Sequence, residues 1–118
     1  MRITDYLTED HERLHRLLAQ AASEPFDHDA FEAFRGGLLR HIGIEEKVLF
    51  AEMRRRLGRP IDAARRLRIE HAALTSLMVP TPDADLVAEI ETLLRAHDTR
   101  EEGALNVYGQ CEAILGET

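Results

Sequence analysis

Residues 31–50 read FEAFRGGLLRHIGIEEKVLF. Phe31, Phe34 and Leu38 recur at three- and four-residue steps, the period of a helix with one apolar face. The same steps then pass through His41 and Glu45 before Val48 restores the apolar stripe. A histidine and a glutamate four apart lie on one helix face, about a turn from each other. A polar pair therefore stands where a helix core should continue. The hexad recurs: HIGIEE at 41–46 is matched by HDTREE at 97–102.

Breakers divide the rest of the chain into helices of the same kind. Ser23-Glu24-Pro25 ends a first helix expected over about 8–22, with a lead-in from Ile3. The second runs over about 28–57 and stops at Gly58, a C′ residue. The third covers about 60–79. Val79-Pro80-Thr81-Pro82 precedes a fourth over about 82–115, with Thr81 as N-cap and Pro82 at N1. Short loops make successive helices antiparallel neighbours. The expected fold is all-α, a single domain over 1–118 built as an up-down-up-down antiparallel four-helix bundle.

Every expected helix shows the same interruption. The first carries Leu7, His11, Leu14 and Leu18, with His15 one turn from His11; the third carries Ala64, Leu67, His71, Leu74 and Met78. In the fourth the stripe is Leu86, Ile90, Leu93, His97, Glu101, Ala104, Tyr108, Cys111 and Leu115. The exceptions to apolarity are histidines, or a histidine followed by glutamate at i+4. The first and second helices together resemble the third and fourth, which suggests an internal two-fold-like symmetry.

Composition narrows the function classes. The 118 residues suffice for one modest core, and 44% hydrophobic with 31% charged residues is ordinary for a soluble domain. No apolar run approaches the ~20 residues of a membrane span, and the N-terminus shows no secretory apolar segment. A lone cysteine, Cys111, forms no internal disulfide, so a reducing cytoplasm is expected. The net charge of −7 argues against nucleic-acid binding. Arginines 54, 55, 56, 59, 65, 66 and 68 cluster around Gly58-Arg59-Pro60. They form either a solvated corner beside a helix C-terminus or a docking patch for an acidic protein partner.

An unpaired ionised carboxylate costs on the order of several kcal/mol to bury, against a total domain stability of roughly 5–15 kcal/mol. Two buried glutamates and five histidines are untenable unless something neutralises them. Metal ions do so, since they bind neutral imidazole and ionised carboxylate together. The competing reading is a buried His–Glu hydrogen-bond network in a plain bundle. Ferritin-like di-iron bundles use Glu-x-x-His pairs. Here the order is reversed and the set is rich in histidine.

EDHERL with His11, HIGIEEKVLF with His41 and Glu45, IEHAAL with His71, and HDTREE with His97 and Glu101 resemble the hemerythrin family, specifically its bacterial HHE cation-binding domains. The resemblance covers essentially the whole chain. It implies a non-haem di-iron centre of two iron ions with a bridging oxo or hydroxo group. Glu45 and Glu101 would bridge the metals, and His11, His41, His71 and His97 would be terminal ligands. Hemerythrins proper carry His-x-x-x-His on the third helix, whereas Thr75 stands four residues after His71. The pair occurs instead on the first helix, as His11 and His15. Equal spacing of His15–His41 and His71–His97 pairs His15 with His71; the acid before and the leucines after His11 and His71 pair those two. With His15 as the extra ligand, five imidazoles, two carboxylates and one bridging oxygen fill about eleven of twelve octahedral positions. One position would stay open for a small ligand.

Glu46 and Glu102, rotated about 100° from the expected bridges, read as surface or supporting residues. Asp10 and Glu70, each beside an expected ligand, are placed to accept histidine N–H groups. His28 reads as exposed, Cys111 as a small buried apolar residue, and Tyr108 as core whose hydroxyl can reach the site. The leading expectation is a metal- and O2-binding protein, a carrier or sensor of O2 or NO, rather than an enzyme. Leu14, Leu38, Leu74 and Leu93 would exclude water from its site. Alternatives are an enzyme of oxidative or nitrosative stress that reduces peroxide or NO or repairs iron–sulfur sites, and an iron-storage module. Zinc fits less well, since it takes four ligands in a closed tetrahedron.

Overall fold

A computed structural model describes residues 2–103 and 106–116. The described residues are all helical or in connections: α1 (Ile3–Ala21), α2 (His28–Ile44), a π-helical turn (Glu45–Leu49), α3 (Phe50–Leu57), α4 (Ala64–Ser76), α5 (Ala84–Glu101) and α6 (Val107–Leu115). None of these helices is long and apolar enough to cross a membrane. α1 packs against α2 and α5, α4 against α5, and α6 against α3 and the end of α5.

The caps follow local chemistry. Asp27 opens α2 by accepting a hydrogen bond from the Ala30 amide at 3.0 Å. Asp83, rather than Thr81, opens α5, accepting from the Leu86 amide at 2.8 Å. The helix thus starts two residues beyond Pro82. Gly58 closes α3 in the left-handed region, φ 73°, with its N–H bonded to the Arg54 carbonyl. Beside it, Arg55 and Arg56 pair with Glu52, and Arg59 with Asp62.

Two departures from straight helices set the site. The π-helical turn inserts about one extra residue between α2 and α3. Downstream of it the buried face shifts by one position: Val48 is 54% exposed, while Leu49 and Met53 are buried. The second departure splits the expected fourth helix. α5 ends at Glu101, Glu102 is extended (φ −81°, ψ 155°), and Gly103 has φ 102°. The Asn106 side-chain amide then donates to the Thr99 and Glu102 carbonyls left open at the helix end. Ala104 of the expected stripe lies outside the described residues. In α5 itself Leu94 is fully buried and Leu93 only partly so.

The apolar side chains form two clusters. One holds Leu14, Leu18, Phe31, Phe34, Leu38, Leu74, Ile90 and Leu94. The other holds Leu7, Leu49, Met53, Leu67, Val107 and Cys111. Between them each long helix passes through a buried polar segment: His11 on α1, His41 and Glu45 at the end of α2, His71 on α4, His97 and Glu101 on α5. Packed leucines on both sides keep water from those groups.

Candidate metal centre

The inward atoms form two connected halves. Glu45, His71, His97 and Glu101, all buried, each offer one ligand atom within 4.8 Å of the others; His11, His41 and Glu101 form a second such group. The Glu101 carboxylate spans both, with Oε1 3.1 Å from His11 Nε2 and Oε2 3.1 Å from His97 Nε2. Glu45 Oε1 lies 3.2 Å from His71 Nε2 and 3.5 Å from His41 Nε2. The i+4 spacing of both hexads thus brings each glutamate under its histidine and against a second one from another helix.

The outward ring nitrogens meet carboxylates, each from the adjoining helix. His41 Nδ1–H donates to Asp10 at 2.9 Å and His97 Nδ1–H to Glu70 at 2.6 Å. His11 Nδ1–H donates to Glu102 at 2.7 Å. Glu46 stands 3.5 Å from His71 Nδ1, too poorly aligned for a hydrogen bond. Asp10 is in turn held by Arg13, and Glu70 by Arg66 and Arg100. An acceptor at Nδ1 fixes the tautomer and leaves the Nε2 lone pair facing inward, as a metal ligand requires. Glu102, Asp10 and Glu70 therefore support three of the histidines, while Glu46 faces the fourth without bonding it.

Tyr108 reaches the middle of the site. Its O–H donates to Glu45 Oε2 at 2.9 Å, and its oxygen lies 3.2 Å from Glu101 Oε1 and 3.2 and 3.5 Å from Nε2 of His11 and His41. In an unbroken helix, seven residues would carry it about 10 Å along the axis from Glu101. Here the Tyr108 hydroxyl reaches the Glu101 carboxylate across the break that follows Glu101. His15 is not brought into either group. It is half-buried, with Nδ1 2.9 Å from Glu91 and Nε2 2.7 Å from Asp98. Where a third imidazole was expected beside His11 and His41, the Tyr108 hydroxyl stands instead. Asp98 is a site residue that periodicity missed. Its signal was its place next to His97, one turn before Glu101. Cys111 is fully buried, its thiol pushed up to about 11 chiefly by burial, and belongs to the apolar cluster. His28 is exposed against Phe26.

Electrostatics describe a centre with too much negative charge for itself. Burial, with Glu101 alongside, pushes the Glu45 carboxyl well above the usual range. Burial opposes charging of His11, yet Glu101 and Asp98 raise it to about 9. Both shifts run toward neutralising the carboxylates, the task a cation would perform. Of the buried side-chain atoms without a hydrogen-bond partner among the described residues, five sit here: Glu45 Oε1, both His71 nitrogens, Asp98 Oδ1 and Glu101 Oε2. Buried polar atoms are rarely left unpartnered. Four imidazoles and two carboxylates that converge with such open atoms fit a metal cation.

No curated protein and no solved structure matches the chain significantly. The model of the hemerythrin HHE cation-binding domain matches residues 2–108, which takes in every donor described above. The match and the arrangement of those donors agree on one conclusion: the chain belongs to the hemerythrin HHE cation-binding family.

Proposed function

We infer that the protein holds a pair of iron ions and uses them to bind O2 or a related small ligand such as NO. The observation that carries this reading is the convergence of unpartnered buried atoms on Glu45, His71 and Glu101, beside three histidines, His11, His41 and His97, whose outward nitrogens are already occupied. On this reading His71 and His97 hold one ion and His11 and His41 the other, Glu45 and Glu101 tie them together, and the helices form a hemerythrin-like up-down-up-down bundle. His15 acts outside the ligand set. Nitrogen and oxygen donors without thiolate suit iron, and their number exceeds what a closed zinc site takes.

When bound, the iron pair supplies the electrons with which O2 or NO is held. The chain supplies the surroundings. Leu14, Leu38 and Leu74, fully or nearly fully buried, exclude water beside the ligands. Asp10, Glu70 and Glu102 fix the imidazole rings, and Tyr108 donates a hydrogen bond to Glu45 in the middle of the site. That phenol favours a second reading, an enzyme that reduces peroxide or NO. A hydroxyl within 3.5 Å of both histidines of one half can deliver a proton to a bound ligand, which a carrier does not require.

Metal analysis of protein purified anaerobically under reducing conditions, followed by optical spectra on adding O2, separates the readings. About two iron per chain with a reversible spectral change is the carrier or sensor result. Irreversible oxidation with turnover of peroxide or NO is the enzyme result. A folded protein that binds no iron would sink both.

A further inference from the structure

Apolar clusters close the centre on two sides, so a cation must enter between helices. A cavity of about 590 Å³ opens between α1 and the end of α5, lined by His11, Glu12, His15, Asp98, Thr99 and Glu102 among others. We propose that this cavity is the entry port for a divalent metal cation, with Glu102 and Asp98 as transit ligands that pass it to His11 and Glu101. The inference rests on reading the buried centre as a metal site.

Asp98 spans the boundary. It is 5% exposed, and its two oxygens face opposite ways. Oδ2 accepts from His15 Nε2 at 2.7 Å on the cavity side. Oδ1 lies 3.3 Å from His11 Nε2 on the centre side and accepts no hydrogen bond. Glu102 lies past the last helical residue of α5, with its side chain 39% exposed and Oε2 2.7 Å from His11 Nδ1. One ligand atom each from His11, Asp98 and Glu102 falls within 4.8 Å of the other two, close enough for one cation to be shared. Carboxylate oxygens and imidazole nitrogen suit a first-row divalent ion. Arg95, which also lines the cavity, is paired with Glu91.

The other openings suit a cation less. The cavity of about 340 Å³ beside Glu46 is lined by Arg54 and Arg68, which repel it. The one of about 380 Å³ beside Tyr108 has Asp5 paired with Arg2 and Glu112 accepting from Thr4, and it offers no imidazole. Glu46 is the counterpart of Glu102 in the repeated hexad and faces His71. It therefore serves as a control for the loss of a carboxylate beside a histidine of the centre but outside the cavity.

The test is Co2+ uptake by the metal-free full chain, followed anaerobically by visible absorption. Glu102→Gln and Asp98→Asn slow uptake about tenfold or more, the scale of lost electrostatic guidance. Glu12→Lys, at the exposed rim, slows it by about threefold, and Glu46→Gln slows it far less than Glu102→Gln. Because Glu12 is exposed and touches no buried group of the centre, its variant decides the matter even where Asp98→Asn fails to fold. Wild-type rates in the port variants overturn the proposal, as does equal slowing by Glu102→Gln and Glu46→Gln. A wild-type chain that takes up no Co2+ overturns the metal reading itself, and the port with it.

Discussion

Glu102 is Glu101's neighbour in the chain, yet it serves His11 on another helix. The same crossing links Asp10 to His41 and Glu70 to His97. Each acid sits beside one ligand-type residue and accepts from a histidine on the adjoining helix, so the histidines are oriented as a set. Asp10 makes this testable through pH. Burial pushes its carboxyl up, but His41 and Arg13 outweigh that and hold it at about 2, against an ordinary 3.8. A depressed folded-state value means stability present above the ordinary value and lost as pH falls through the folded one. In the metal-free protein this contribution fades from about pH 4 to about pH 2. Asp10→Asn should flatten the acid limb of denaturant-derived stability by about 1 kcal/mol over that window. An unchanged limb would remove Asp10 from the account. Tyr108 tests the interior. Tyr108→Phe takes the donor from Glu45 Oε2, whose partner oxygen already has none. The metal-free variant should lose about 1–3 kcal/mol in chemical denaturation, the cost of a buried acceptor left open. A loss within about 0.5 kcal/mol, the spread of a neutral surface change, would show that the hydroxyl does not hold the carboxylate in place.

At the scale of elements, the helix positions and the buried histidines were legible because they follow from periodicity and breakers. His11, His41, His71 and His97 all break an apolar stripe at one depth, and all four are buried together. Two interruptions were not legible. The π-helical turn at Glu45–Leu49 replaces the expected Val48 by Leu49 on the core face, and nothing in EEKVL distinguishes it from α-helix by composition. The break at Gly103 had a signal, a glycine just after the hexad, but the apolar period beyond it reads on without a gap. His15 lay outside the reach of spacing for another reason. Its position one turn from His11 says which face it shares, not that Glu91 and Asp98 claim both its nitrogens. The π-helical turn carries a prediction of its own. Deleting exposed Lys47 removes the extra residue and returns the buried face to α-helical register, so the chain should still fold, with a melting temperature within about 5 °C of wild type. The widened turn that carries Glu45 and Glu46 would close, and cation affinity measured by calorimetry should fall by about tenfold or more, the usual cost of disturbing a metal's supporting groups. Equal affinity in the deletion variant would make the turn incidental to the site.

For the whole molecule, the polar centre divides the core instead of crowning it. The described chain spans 50 × 26 × 20 Å, with one apolar cluster on either side of the histidines. Two carboxylates buried side by side between the clusters cannot both stay ionised without a neutralising group. Glu45 and Glu101 are both completely buried, and burial with Glu101 alongside pushes the Glu45 carboxyl well above the usual range. A bound cation would neutralise the pair and join α1, α2, α4 and α5 through the side chains that hold it. Binding confined to the folded state adds stability as RT ln(1 + [L]/Kd), about 2.7 kcal/mol at a hundredfold excess over Kd. For a domain of this size that raises the melting temperature by roughly 10 °C or more. Scanning calorimetry of chelator-treated protein, with and without added Fe2+ under argon, measures the difference. The shift should grow with the logarithm of free Fe2+ and should largely vanish in a Glu45→Gln, Glu101→Gln double variant, which keeps the shape of the core but loses both carboxylate charges. A melting temperature that ignores Fe2+ in the wild type would mean that the centre is a hydrogen-bonded polar core and not a metal site. A shift that persists in the double variant would place the ion elsewhere in the fold.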